Sequence, residues 1–236
     1  MSSVDEQATA SGDDAEPRDD EREAQLDAFR RELGDAVVGH HIVPGAELCV
    51  RVATDAWLAT AEAARRRLGY AYFSFLSALD WLPSPFGRYE DAEVDTPLAD
   101  RLAHPGETET GRAGGDTRFQ VFARVVDVRR RAAVTFKVDV PDDDLAVDTW
   151  SSVYAGADWH ERETWEMFGI VFRGHPNLTH IYLPSEFEGY PLRKDFPLLA
   201  RVVKPWPGIV DVEPMPASDD DEEAEPDPAD SVDTST

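Results

Sequence analysis

Apolar and polar positions alternate with a period of two over Arg118–Val128 and again over Ala132–Val140. Phe119, Val121, Ala123 and Val125 share one side of the first run, and Val134, Phe136, Val138 and Val140 share one side of the second. A strand with one buried and one exposed face has this pattern, so the two runs predict a hairpin, with Arg129–Arg131 as the turn and Pro141 as its end. Upstream, Leu48–Val52 reads as a strand. Thr54 or Asp55 then caps a helix carrying Trp57, Leu58, Ala61, Ala64 and Leu68, which Gly69 stops. Arg65–Arg67 stand at its C-terminal end, where cations suit the helix dipole, and are read as solvated charge and not as a phosphate patch. Tyr70–Leu79 predicts a second strand, giving a strand–helix–strand opening. Leu26–Leu33 predicts a short leading helix stopped by Gly34, and Asp148–Tyr154 another short helix bearing Trp150, Val153 and Tyr154. The expected fold is α+β: a small mixed β-sheet of about four strands with helices against one face.

The stretch from Glu161 to Lys194 departs from this regularity. On a helical wheel of about 100° per residue, Trp159, Glu163 and Met167 fall together with Arg162 and Glu166, while Glu161, Trp165 and Phe168 lie opposite. Charge is interleaved with aromatic surface all round, whereas a helix serving one core collects its apolar residues in one stripe. The expectation is a helix covered on several sides, with the guanidinium of Arg162 paired to the neighbouring carboxylates. Beyond it Gly169 and Gly174 end helical structure, and prolines recur at 176, 184, 191, 197, 205 and 207. The same segment nevertheless carries Phe172, Tyr182, Phe187, Tyr190, Phe196 and Trp206, which is too apolar for a free linker. Residues 171–210 are therefore expected to form an extended arm lying on another surface. The alternative is a long irregular coil packed back on its own domain.

Composition places the remaining boundaries. Of a net charge of −25, residues 1–23 contribute nine acids against two bases and residues 211–236 eleven acids against none. These two ends are expected to be disordered acidic termini, because they cannot bury enough apolar area to offset ordering entropy. The folded domain is expected over 24–170, with a flexible insertion near 83–116 whose Gly111, Gly114 and Gly115 form a turn and not a phosphate cradle. A net acidic chain argues against nucleic acid as a partner. The single cysteine, Cys49, excludes a disulfide framework and cannot by itself hold an iron–sulfur cluster, which needs four thiolates. No apolar run of the length needed to span a bilayer, and no export leader, is present, so an intracellular protein without direct membrane insertion is expected.

Catalytic constellations fare poorly. His160, Glu161, Glu163, His175 and His180 are all capable of binding zinc, but position 164 is threonine, so the second helical ligand of a His-Glu-x-x-His motif is missing. There is no Gly-x-Ser-x-Gly elbow, and Cys49 shows no sign of thiolate activation. No catalytic, cofactor-binding or metal-binding residues are expected on this chain.

Glu161, Arg162, Glu163, Glu166, Met167 and Phe168, followed by His175 after a six-residue spacer and by Ile181, resemble the signature of one family: the hydrophilic C subunit of proton-pumping NADH:quinone oxidoreductase, respiratory complex I. The run Glu188–Leu198, EGYPLRKDFPL, is similar to the family's usual ending, and Thr179 departs from it where members generally carry a basic residue or proline. The resemblance is strong over residues 158–198 and compatible with the pattern over 48–150. It implies a compact α/β domain followed by an extended C-terminal arm, in a non-redox structural subunit of the peripheral arm. Electron transfer from NADH to quinone would run through partner subunits, which hold the flavin and the iron–sulfur clusters; no cofactor is expected here. The implied partners are the D-type and B-type subunits of a hetero-oligomer held peripherally at the cytoplasmic face of the cell membrane. The interface residues would be Glu161, Arg162, Glu163, Glu166, His175, Tyr182, Phe187, Tyr190, Arg193, Lys194 and Phe196. Readings left beside this one are the matching subunit of a membrane-bound hydrogenase or other quinone-linked dehydrogenase, a metal-dependent hydrolase, and a free-standing adaptor.

Overall fold

Val134, Phe136, Val138 and Val140 lie wholly buried along one strand, and they form the centre of the sheet. The computed structural model describes residues 19–85, 100, 103 and 108–196. Five strands, β1 (Val37–His41), β2 (Leu48–Val52), β3 (Tyr72–Asp80), β4 (Phe119–Asp127) and β5 (Ala132–Val140), form one sheet in the order β1-β2-β5-β4-β3. The pair β2–β5 is parallel and the other pairs are antiparallel, so the sheet is mixed. The expected hairpin is present in register, Phe119 opposite Val140 and Asp127 opposite Ala132. Helix α1 (Asp20–Leu33) and helix α2 (Trp57–Glu62), the latter continuing as a π turn over Ala63–Arg67, bury against the face that carries Phe136. Phe29 meets Phe136 edge-on at 4.9 Å and Tyr70 at 5.3 Å, and Trp57 stacks on Trp150 at 4.3 Å.

The structure corrects several expectations. Helix α1 begins at Asp20 and not near Leu26, because Asp19 caps it by accepting from Arg22 N at 3.1 Å and Asp20, Glu21 and Glu23 suit its positive end. The sheet has a fifth strand, β1, hidden in sequence by the glycine and two histidines of VVGHH. The strands of the strand–helix–strand opening are not neighbours, since β5 and β4 lie between β2 and β3. Residues 148–154 are not a helix. Ala146–Asp148 is a short strand, β6, pairing in parallel with β7 (Val171–Arg173), and Trp150–Tyr154 is a turn with the N–H of Val153 and Tyr154 both donating to Trp150 O at 2.8 Å. Part of the expected insertion is pinned: Gln120 Nε2 donates to Gly114 O at 3.0 Å and Lys137 Nζ to Arg112 O at 2.9 Å. Arg51 also pairs with Asp116 at 2.7 Å, so residues 112–116 lie on the outer face of the sheet and do not form a free turn. The acidic ends over 1–18 and 211–236, most of 86–107, and 197–210 with Trp206 lie outside the described residues.

Candidate functional site

Helix α3 (Ala157–Phe168) follows the Trp150–Tyr154 turn, lies against β3 and ends at Gly169, whose φ of +76° gives a left-handed cap that donates to Trp165 O at 2.8 Å. Its buried side is Ala157, Glu161, Thr164, Glu166 and Phe168. Two glutamates therefore point inward and Trp159 points out, 63% exposed. This explains the confused helical wheel: burial on α3 is set by which polar groups find partners within the chain, and apolar character does not decide it.

Glu161 is fully buried and receives hydrogen bonds from the Thr149 hydroxyl and from Trp150 N at 2.6 Å. Burial pushes its carboxyl up to about 7, against those two donors, and the charge of Asp158 adds to the rise. A proton on Oε2 has a place to go: Thr149 Oγ1 can accept it and pass its own hydrogen to Ser151 Oγ, 2.7 Å away. His175, its ring wholly covered, brings Nε2 to 2.8 Å from Asp158 Oδ1 and 3.9 Å from Glu161 Oε2. Its Nδ1 accepts from Asn177 N at 3.1 Å, which leaves the hydrogen on Nε2 in the neutral ring; that N–H is aimed at Asp158 O at 3.2 Å, and Oδ1 stays at ion-pair distance without an aligned hydrogen bond.

Glu166, also buried, works in the opposite direction. Burial pushes its carboxyl up, but the N–H groups of Ile181 at 3.1 Å, Tyr182 at 3.0 Å and Leu183 at 3.3 Å, with the His180 ring at 3.2 Å, outweigh it and hold it below the usual range. The carboxylate is thus a cradle for three successive backbone amides. Arg162 does not pair with Glu161, Glu163 or Glu166 as expected. It donates to Thr179 O at 2.9 Å, to Thr179 Oγ1 at 3.0 Å and to His180 O at 3.1 Å, and Glu163 has no ion pair among the described residues. The threonine that departs from the family pattern accepts twice from the arginine of the signature.

The segment after α3 is consequently not poor in self-made contacts, and over residues 171–196 the expected extended arm also lies against its own domain. Arg193 Nε donates to Phe168 O at 2.6 Å while its guanidinium stacks on Tyr190 at 4.2 Å. Phe187 and Phe196 stack on each other at 6.0 Å. The main-chain N–H of Lys194 donates to Asp80 Oδ2 at 2.8 Å, leaving the lysine side chain outside. Asp80 and Arg118 were missed by sequence reasoning. Asp80 receives Arg118 in a two-pronged pair at 2.9 and 2.8 Å, and Arg118 also holds Asp195 at 3.0 Å, so the end of β3 anchors the end of the trailing segment. Burial pushes Asp80 up, but Arg118 and the Lys194 and Leu82 N–H groups bring it below the usual carboxylate range. The only trace in sequence is a carboxylate at the close of an otherwise apolar strand. On the outside Trp159, Tyr182 (65% exposed) and Leu192 remain exposed.

A mixed-sheet α+β domain whose signature helix carries two inward carboxylates and holds a folded-back C-terminal segment is the class these features define. The family model for the 30 kDa subunit of respiratory-chain NADH dehydrogenase matches residues 50–202, and the chain belongs to that family, the C-subunit family of complex I. Among curated relatives, the C/D subunit of the NADH-quinone oxidoreductase of Pectobacterium carotovorum is 35% identical over 183 residues, 75% of this chain and 28% of that protein. The C/D subunit of Buchnera aphidicola is 50% identical over 82 residues, 35% of this chain and 14% of that protein. The chain therefore spans under a third of the length of these relatives. Two solved structures share lesser similarity: the trypsin-resistant fragment of Nqo5, with a TM-score of 0.46 and 20% identity over 66% of this chain and 98% of that one, and the membrane-bound sulfane sulfur reductase of an archaeal respiratory membrane complex, with 0.49 and 18% over 75% and 86%. Among the described residues no helix is long and apolar enough to cross a membrane.

Proposed function

We propose that this chain is a structural, non-redox subunit of the peripheral arm of an NADH:quinone oxidoreductase, a hetero-oligomer in which partner subunits hold the flavin and iron–sulfur clusters and carry electrons from NADH to quinone. The observation that carries this reading is the inward use of the site's charges. Glu161, Glu166, Arg162, His175 and Asp80 are all engaged in fixing the chain's own backbone, and Trp159, Tyr182 and Leu192 are left exposed on the segments they fix. A surface of aromatic anchors on a fixed backbone is what a stable interface requires. In this reading the surface meets the D-type partner, with the B-type partner nearby, and the protein is held at the cytoplasmic face of the membrane through them. That the curated relatives carry a C/D name supports the first of these partners.

The test is co-expression of the full chain with its D-type and B-type partners. Trp159→Asp and Tyr182→Asp should each abolish co-purification of the D-type partner while leaving the melting temperature within about 2 °C, since an exposed substitution changes stability by only about 0.5 kcal/mol. Undiminished co-purification of both variants would remove this surface from the proposal.

A further inference from the structure

Two arginine triplets of this acidic chain meet at one end of the sheet. Arg65–Arg67 close the π turn after α2 and Arg129–Arg131 form the β4–β5 turn, and Arg130 ties the two by donating from Nη2 to Leu68 O. Three of the six have a carboxylate partner: Arg66 pairs with Glu62 at 2.9 Å, Arg67 with Glu32, and Arg130 with Asp127 at 2.6 Å. Among the described residues Arg65, Arg129 and Arg131 have none, and Arg65 rests over the Tyr154 ring at 5.3 Å. Solvated charge at a helix end accounts for the first triplet alone and not for its meeting with the second.

Two further observations point outward. Arg131 has a φ of +55°, a left-handed conformation that hairpin turns normally give to glycine or asparagine, so its place in the turn is not explained by backbone preference. In the same turn an open groove of about 740 Å³ is lined by Tyr72 and Val128 together with Arg129, Arg130 and Asp127, whose carboxylate is taken up by Arg130. Tyr72 is 56% and Val128 67% exposed, so apolar surface borders the unpaired guanidinium of Arg129 and the Arg130–Asp127 pair.

We propose that this end of the sheet docks an acidic, extended polypeptide segment of a partner protein, its carboxylates met by Arg129 and Arg131 and one apolar side chain laid against Tyr72 and Val128. Planar guanidiniums match carboxylates in paired hydrogen bonds, and the groove supplies the apolar contact that a simple ion exchanger lacks. The chain carries a net charge of −25, so an acidic segment is held only where basic groups gather locally, as they do at this end. Duplex nucleic acid calls for a basic face longer than one turn and a helix end. The proposal is carried by residues other than those of the α3 surface and stands without the family assignment.

Fluorescence anisotropy on the full chain tests it, with a labelled Asp/Glu-rich peptide bearing a central leucine, a Ser/Gln-rich peptide of equal length, inorganic phosphate as competitor, and phosphatidylglycerol vesicles. The acidic peptide should bind saturably and more weakly as salt rises, and the double variant Arg129→Ala with Arg131→Ala should weaken it about fivefold or more. Arg131→Gly separates binding from folding: relief of the positive φ should hold or raise the melting temperature while affinity falls. Equal binding of the Ser/Gln-rich peptide, full displacement by phosphate, binding to vesicles in preference to the peptide, or affinity unchanged in both variants would overturn the proposal.

Discussion

Glu161→Gln isolates the buried proton of the signature helix. In the folded chain burial raises the Glu161 carboxyl from 4.5 to about 7, and each pH unit of separation is worth about 1.4 kcal/mol. Between those two values the folded chain keeps a proton that the unfolded chain has released. Stability must then fall as pH rises through the window, by about 3 kcal/mol once pH is above both values. The amide keeps the carboxyl's shape, accepts from Trp150 N and donates to Thr149 Oγ1, and cannot ionise. Below about pH 4 the two proteins should be about equally stable, at pH 5 the variant should lead by about 1 kcal/mol, and at pH 8 by about 3 kcal/mol. Urea unfolding of both at fixed ionic strength reads this directly. Burial and the charges of Arg30 and His41 lower the His40 pKa, which gives a pH slope of opposite sign in part of the window; it is common to both proteins and cancels in the difference. Parallel pH profiles for the two, or a variant weaker at pH 8, would refute the reasoning.

The other expected outcomes concern the segment after α3 and the pinned loop. Glu166→Ala leaves the N–H groups of Ile181, Tyr182 and Leu183 without their acceptor, at a cost on the order of 3 kcal/mol; hydrogen exchange should show those three amides losing protection first, and unchanged protection would count against the cradle. Arg162→Ala removes bonds to Thr179 and His180 and the guanidinium's contact with the Trp159 ring, so it should cost about 1–2 kcal/mol in urea unfolding and not the larger penalty of stranded carboxylates; a loss above about 3 kcal/mol would revive the ion-pair expectation. Gly115→Ala places a Cβ against the Gln120 amide, 2.8 Å from its Cδ, and should destabilise by about 1–3 kcal/mol, whereas Gly45→Ala, with open space but a φ of +80°, should cost about 1 kcal/mol; equal effects would mean that the loop is not seated on Gln120.

Strand alternation made most of the sheet legible from the sequence alone. Phe119–Val125 and Val134–Val140 had only one way to bury their apolar sides, and the turn between them is short. β1 was illegible because VVGHH has no run of alternation long enough to register, and Val38 points outward. The order of the sheet was likewise out of reach: the parallel pairing of β2 with β5 joins residues far apart in the chain, and no local signal encodes it. On α3 the charged residues were correctly singled out, but their partners were not, because Thr149, Trp150 N, Thr179 and the amides of 181–183 offer ordinary backbone and hydroxyl groups that a search for opposite charges passes over. Asp80 shows the same blindness, since its two-pronged partner Arg118 lies 38 positions away.

The proline-spaced segment after β7 has almost no regular structure, yet it is fixed at three separated points: Glu166 on the amides of 181–183, Phe168 O on Arg193, and Asp80 on the amide of Lys194. Ordering backbone costs about 1–2 kcal/mol per residue. A segment ordered only on contact would set that cost against association, whereas one already held by its own domain offers Tyr182 and Leu192 at little further entropy. The prolines act in the same direction by narrowing what the free segment can do. In the proposed interface the inward glutamates and the outward aromatics are thus two halves of one arrangement: charge is used inside the chain and apolar side chains are left outside it.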